Sequence, residues 1–260
     1  MRSHRTTGLS PEHFTELCRR VREHIGSWIA PTGRPRALGL GAAVKATVMY
    51  LRNNLTQEVI AELLAVSQPT ISRTIAEIEP VIGAVLAEHI PHPAEAVTGR
   101  VIVVDGTLTP CWSWAAAPEL SSGKHHTTGH NHQVAVTLDG RLAHLSDPLP
   151  GRTHDARAVR DSGLLEVLDA GNTLADKGYL GTGMLTPTRK PPGGQLTASQ
   201  KNLNSQINAL RAVVERAIAH LKTWRVLHTD YRRPRATYPT PFQAVRALHF
   251  FQLSYEYASV

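Results

Sequence analysis

Cysteine is nearly absent. The chain of 260 residues has two, Cys18 and Cys111, which excludes a disulfide framework and a cysteine-based zinc site and suits a reducing cytoplasm. Long apolar runs are missing too. The most apolar stretch, Ala37–Leu51, is too short to cross a bilayer and carries Lys45. No signal peptide opens the sequence and no low-complexity tail closes it. The expectation is a folded cytoplasmic protein without a membrane partner, with room for one large domain or two modest ones. Acidic residues are scarce at one end only. Residues 1–95 hold 10 Lys/Arg against 9 Asp/Glu, residues 96–185 hold 7 against 9, and residues 186–260 hold 11 against 3, for a net charge of +7. A slightly acidic middle followed by a strongly basic end fits a protein that cradles a polyanion around an acidic site. A merely solvated basic face would give the same count.

The first ninety-odd residues read as helices. Ser10-Pro11-Glu12 starts an amphipathic helix over residues 9–30, with Phe14, Leu17, Val21, Ile25 and Trp28 on one face and Pro31-Thr32-Gly33 as its stop. A second helix runs from about Leu38 to Arg52. Residues 56–78 then carry a more specific pattern. Thr56 caps a short helix, Ala61 is small where two helices must cross, Ala65 stands at a tight turn, Ser67 and Pro69 start a second helix, and Ile71 plugs the crossing. This is the spacing of a helix-turn-helix, with Ala65 where glycine is commoner. Its second helix would offer Gln68, Thr70, Ser72 and Arg73 to base edges and phosphates of double-stranded DNA. An ordinary pair of packed helices is the plainer alternative. Pro91-His92-Pro93 marks a break, and the domain boundary is placed there: a helical DNA-binding domain over 1–95 and an α/β domain over 96–260.

The second part opens with Val101-Ile102-Val103-Val104-Asp105-Gly106-Thr107. Consecutive β-branched residues predict a strand buried on both faces, delivering Asp105 at its C-terminal end. By itself the Asp-Gly pair reads as a turn. Ser121–His132 reads as a polar loop near the site that contacts DNA. It holds His125, His126, His130 and His132, at spacings too irregular for zinc to be more than a minor option. A hairpin follows, Gln133–Leu138 and Arg141–Ser146 around Asp139-Gly140, and a helix starts near Thr153. A short strand, Thr173-Leu174-Ala175, ends in Asp176, a second strand-end carboxylate. After a Pro/Gly/polar loop a long helix reaches about Trp224, with Glu215 at the border of its apolar stripe and Arg211 and Lys222 on the same side. The last helix, from Phe242 to about Tyr257, is strongly apolar. Three acids on two strands and one helix suit two hard cations such as Mg²⁺, which prefer oxygen ligands and take few of them from protein.

Four motifs carry a resemblance: Val103-Val104-Asp105-Gly106-Thr107; Pro150-Gly151-Arg152-Thr153-His154-Asp155; Leu174-Ala175-Asp176-Lys177-Gly178-Tyr179; and Arg211-x3-Glu215-x6-Lys222. Together they resemble the DDE insertion-sequence transposases of the Harbinger/PIF-like branch, with Asn208 where that branch usually has Tyr. The resemblance spans nearly the whole chain. It implies a helix-turn-helix followed by a ribonuclease-H-like mixed-sheet domain. Asp105, Asp176 and Glu215 would be the catalytic acids and hold two Mg²⁺ ions, for which Mn²⁺ substitutes, with Arg211 and Lys222 on DNA. His154 and Asp155 would support the site from behind, with Asp155 as an extra acid or a helix cap. The implied activity is cutting at terminal inverted repeats and transfer of the 3′-OH ends to target DNA, by a homodimer because two element ends must be joined. The rival readings are an inactive DNA-binding descendant of such an enzyme and a ribonuclease-H-like nuclease that only hydrolyses.

Overall fold

The computed structural model describes residues 5–29, 35–112 and 117–258, with side chains to Tyr255. In chain order the elements are α1 (Pro11–Ile25), α2 (Leu40–Asn53), α3 (Gln57–Leu63), α4 (Gln68–Val85), α5 (Pro93–Val97), β1 (Ile102–Pro110), β2 (Ser121–Ser122), β3 (Thr127–Thr137), β4 (Leu142–Leu145), β5 (Leu149–Pro150), α6 (Asp155–Asp161), α7 (Leu164–Val167), β6 (Thr173–Leu174), α8 (Ala198–Leu221) and α9 (Pro239–Ala258). A helical N-terminal region with a helix-turn-helix is thus followed by a mixed α/β sheet region consistent with a ribonuclease-H-like fold.

The chain divides into two compact units, one running to Ile90 and resuming at Lys222, the other Pro91–Leu221. The first break falls near the expected boundary. The second was not anticipated: the C-terminal residues, assigned from the sequence to the α/β domain, fold with the N-terminal helices. The reason is burial. Phe242, Val245, Leu248 and Phe251 of α9 are buried, and α9 packs on α4, whose own apolar row is Ile71, Ile75, Ile78 and Ile82. Without α9 that row would face water, at roughly 1.5–3 kcal/mol per large side chain.

Within this unit α1 ends earlier than expected. Gly26 caps it at φ 71°, a positive φ that suits glycine, its N–H donating to the Arg22 carbonyl, and Trp28 lies beyond, its indole donating to the Leu38 carbonyl. The stop expected at Pro31-Thr32-Gly33 lies outside the described residues. The helix-turn-helix forms as its spacing predicts. The Thr56 hydroxyl accepts from Val59 N. Ala61 and Ile71 are buried at the crossing. Ala65 takes φ 52°, Val66 N donates to Ala61 O and Ala65 N to Glu62 O, closing the end of α3 as a helix does before a left-handed residue.

In the other unit β1 is central. It pairs antiparallel with β3 along its whole length and parallel with β6 at Ile102–Val103 only. β2, β5 and β4 pair in turn along β3. One sheet face carries Ile102, Val104 and Ala135 into a core closed by Val159, Leu164 and Tyr179, and α8 packs on β1 and β3. Two expectations need correction. β1 runs on to Pro110, so Asp105 stands in mid-strand, not at its end. Much of the polar stretch to His132 is strand, not loop, because β3 starts at Thr127 and supplies the ladder partners that the second half of β1 requires.

Ala65 is a non-glycine residue held in the left-handed region, which costs roughly 1–2 kcal/mol. Ala65→Gly therefore raises stability by about 1 kcal/mol once the extra freedom of glycine in the unfolded chain is allowed for. The check is the urea midpoint, which should rise; an unchanged or lower midpoint contradicts strain at this turn.

Candidate active site

The site begins where β6 stops. Ile102 pairs with Thr173 and Val103 with Leu174, and pairing then ends. Continuing that parallel register sets Asp105 beside Asp176, at a strand edge with no further ladder to block it. Asp105 is largely buried, and its carboxyl is pushed above the ordinary carboxylate range. Burial is the main cause, Asp176 adds to it, and Arg211 opposes both. Asp105 Oδ1 accepts from Gly106 N at 2.8 Å and Oδ2 from Arg211 Nη2 at 3.0 Å. Asp176, half-buried, caps the turn that follows it, its Oδ1 accepting from Gly178 N at 2.7 Å.

Asp155 is drawn into the same place. A methyl group on Gly106 would lie 2.7 Å from Asp155 Oδ1. One on Gly178 would lie 2.8 Å from both Asp155 Oδ2 and Asp176 Oδ1. Such contacts are too short for any side chain, so glycine at 106 and 178 is what admits the Asp155 carboxylate. Lys124 Nζ meets Asp155 Oδ2 at 2.9 Å. The Lys124 amine is shifted up: burial opposes, but the bond to Asp155 and the fields of Asp155, Asp176 and Asp105 prevail. Beneath the acids lies a chain of hydrogen bonds. Tyr179 OH donates to Gln133 Oε1 at 2.7 Å, Gln133 Nε2 to Asn131 Oδ1 at 3.0 Å, and Asn131 Nδ2 to the Thr153 carbonyl at 3.1 Å. The Tyr179 phenol is fully buried and held well above its ordinary range by burial and by Asp155, Asp105 and Asp176. The chain ties β3 and the turn after β6 to the residue two before Asp155. Gln133 and Asn131 escape sequence reasoning, in which Gln133 only opened a hairpin strand and Asn131 fell in the stretch read as a loop.

The remaining expected residues are placed less tightly. His154 is exposed and is the N-cap of α6, one residue after the expected start near Thr153, with no side-chain cap bond; Asp155 is the first residue of that helix. Thr197 and Gln200 cap the start of α8 reciprocally. Arg211 of α8 reaches Asp105, and its Nε is buried without an acceptor among the described residues. Glu215, one turn on, is exposed. α8 ends at Leu221, short of the expected Trp224, so Lys222 follows the helix and falls in the other unit, its amine pushed down by burial. His132 is buried between Thr109 Oγ1 and the Ser146 carbonyl, as a sheet residue would be. Among the described residues no three His, Cys, Asp or Glu side chains stand in a metal-holding array.

In donor chemistry the acids fit a hard divalent cation. Asp105 and Asp176 are adjacent carboxylates in a half-buried edge. The positive charge they need is supplied by Lys124 and Arg211, and the buried Arg211 Nε awaits an acceptor beside Asp105. Asp105 and Asp176 are adjacent, Asp155 lies close to both through Gly106 and Gly178, and Glu215 is at the surface of α8.

The helix-turn-helix residues lie in the other unit. Arg73 is exposed at the start of α4 and Ser72 half-buried. Gln68 Nε2 donates to Gln57 Oε1 at 2.6 Å, and Thr70 shares a hydrogen bond with Ser67. Two of the four expected contacts therefore already hold local partners, which fix their direction.

Comparison with known proteins agrees with both halves. Residues 104–249 match the DDE superfamily endonuclease model and residues 38–88 the helix-turn-helix of DDE superfamily endonucleases. The chain is 31% identical over 223 residues to a Streptomyces albus G protein assigned as a transposase for insertion sequence element IS112, covering 85% of this chain and 83% of that one. It is 24% identical over 264 residues to a Microchaete diplosiphon protein assigned as a transposase for insertion sequence element IS702, covering 96% and 94%. The strand-edge aspartates, the helix-turn-helix and these matches lead to one conclusion: the chain belongs to the DDE superfamily endonucleases, DNA-binding enzymes of the insertion-sequence transposase kind.

Proposed function

We propose that the protein cuts DNA at the terminal inverted repeats of an insertion element and transfers the 3′-OH ends to target DNA. It would act as a homodimer in the cytoplasm, on the nucleoid, as a member of the Harbinger/PIF-like branch. The observation that carries this reading is Asp105 beside Asp176 at an open strand edge, within a chain of net charge +7 that belongs to the DDE endonucleases. No helix among the described residues is long and apolar enough to cross a membrane.

DDE endonucleases depend on divalent metal ions. Mg²⁺, with Mn²⁺ as its substitute, is the ion the carboxylate donors suit, and Asp105, Asp176 and Glu215 are the residues proposed to hold two of them. When bound, such ions lower the cost of making an oxygen nucleophile and of expelling an oxygen leaving group in an in-line displacement at phosphorus. The chain's own residues do the rest. Asp105 and Asp176 are fixed by backbone donors at Gly106 and Gly178. Arg211 sets the position of the Asp105 carboxylate through Nη2, and its other Nη donors would be available to a phosphate oxygen. Lys124 holds Asp155 and spreads positive charge over all three aspartates. Gln68, Thr70, Ser72 and Arg73 read and grip the repeat.

Asp105→Asn and Asp176→Asn each abolish cleavage of a duplex carrying the element's ends while leaving its binding intact. Glu215→Gln does the same if Glu215 joins the site on DNA, whereas Asp155→Asn, as a supporting change, costs about 10–100-fold. The assay is Mg²⁺- or Mn²⁺-dependent nicking on labelled duplexes beside a gel-shift measurement. Full cleavage by both strand-edge variants would sink the assignment. Background activity in Asp155→Asn with full activity in Glu215→Gln would move the third ligand to Asp155.

A further inference from the structure

The basic residues after α8 are not spread over a disordered tail. Residues 222–237 hold Lys222, Arg225, Arg232, Arg233 and Arg235 against a single acid, Asp230, and they are pinned to the helix-turn-helix unit. Arg233 Nη1 donates to both oxygens of Glu79 on α4, at 2.8 and 2.7 Å. That carboxylate is wholly buried, and the Arg233 guanidinium also lies 5.7 Å from the Tyr50 ring. Tyr231, buried, bonds Thr237 at 2.6 Å. Asn54, the left-handed cap of α2, donates to Thr229 Oγ1 at 2.7 Å and to the Asp230 carbonyl at 3.1 Å. Its own carbonyl accepts from Arg232 Nη2 at 2.5 Å. These bonds fix the segment against α2 and α4.

What it builds is a groove. Thr56, Gln57 and Glu58 at the start of α3, Ser72 of α4, and Arg232 and Arg233 face one another across a volume of about 430 Å³. In a helix-turn-helix the second helix enters the major groove and the first crosses the adjoining phosphate backbone. The start of α3 is thus where a DNA strand passes, and Arg232 stands beside it. Arg232 is exposed, and one end of its fork is fixed by the Asn54 carbonyl. Arg233 is neutralised by Glu79, so it shapes the wall more than it adds charge.

We propose that this groove seats the sugar–phosphate backbone flanking the bases read by α4, and that Arg232 makes a phosphate contact there. The C-terminal segment is then a third part of the DNA-binding module, beside the two helices. This rests on the helix-turn-helix being the DNA reader. A phosphate contact adds affinity without sequence preference, and it adds to salt dependence because each neutralised phosphate releases counterions.

The test uses the full chain and a mixed-sequence duplex, with dissociation constants measured across a salt series. Arg232→Ala should weaken binding and reduce the slope of log K against log salt by about 1, equally for duplexes of different sequence, while Arg232→Lys keeps the slope. Arg73→Ala serves as the comparison within the second helix. If Arg73→Ala weakens binding and Arg232→Ala changes neither affinity nor slope, the groove is not a backbone seat, though the helix-turn-helix reading stands. If Arg232→Lys loses as much slope as Arg232→Ala, the effect is not one of charge, and the proposal fails. If the unaltered protein does not bind duplex DNA at all, the reading beneath it fails as well.

Discussion

Carboxylates crowded at the edge of an apolar sheet repel one another, and much of the α/β unit is arranged to contain that repulsion. Asp105 cannot move, because β1 is clamped by β3 along its length. Asp176 cannot move far, because it caps its own turn. The charge is therefore met where it stands, by Arg211 from α8 and Lys124 from the turn before β3. The two glycines at 106 and 178 let a third carboxylate, Asp155, close in. The buried chain of Tyr179, Gln133 and Asn131 fixes the floor. The edge thus holds its charges through protein counter-charges directed at their oxygens.

Much of this was legible in the sequence, and the reason is local chemistry. The β-branched run before Asp105, the short strand before Asp176 and the caps of the helix-turn-helix each announce themselves over a few residues. Ala65 is instructive: its spacing alone gave a tight turn, and the structure bends there at φ 52° despite the missing glycine. What stayed hidden is pairing at long range. That β1 continues to Pro110 depends on a partner strand made of Thr, Gly, His and Asn, residues whose composition reads as loop. That Asp155 lies against Gly106 and Gly178 depends on two glycines far apart in sequence, neither of which signals a neighbour. The end of α8 was overrun by the apolar Trp224, which is buried in the other unit.

The basic end shows the same limit from another side. Its charge was plain from counting, yet its place was not. Glu79, an acid in the middle of an apolar helix face, is the residue that decides it. A carboxylate buried there requires a cation, because leaving it unpaired would cost about 3–5 kcal/mol, and Arg233 is the cation that arrives. One buried ion pair thus joins a C-terminal segment to an N-terminal domain and makes the helix-turn-helix unit discontinuous in sequence.

Burial holds the Asp105 carboxyl above the ordinary carboxylate range, against the pull of Arg211. A carboxyl held above its unfolded value costs stability once the pH exceeds that value and nothing below the ordinary carboxylate range. The most direct measurement is the thermal unfolding of the wild type and Asp105→Asn, without divalent ions, from neutral pH down through that range. The account predicts a higher unfolding temperature for Asp105→Asn at neutral pH, with the difference closing as the wild-type carboxyl takes up its proton. A variant less stable than the wild type at neutral pH, with a gap that narrows on acidification, would show that Arg211 and Lys124 more than offset burial, and would contradict it.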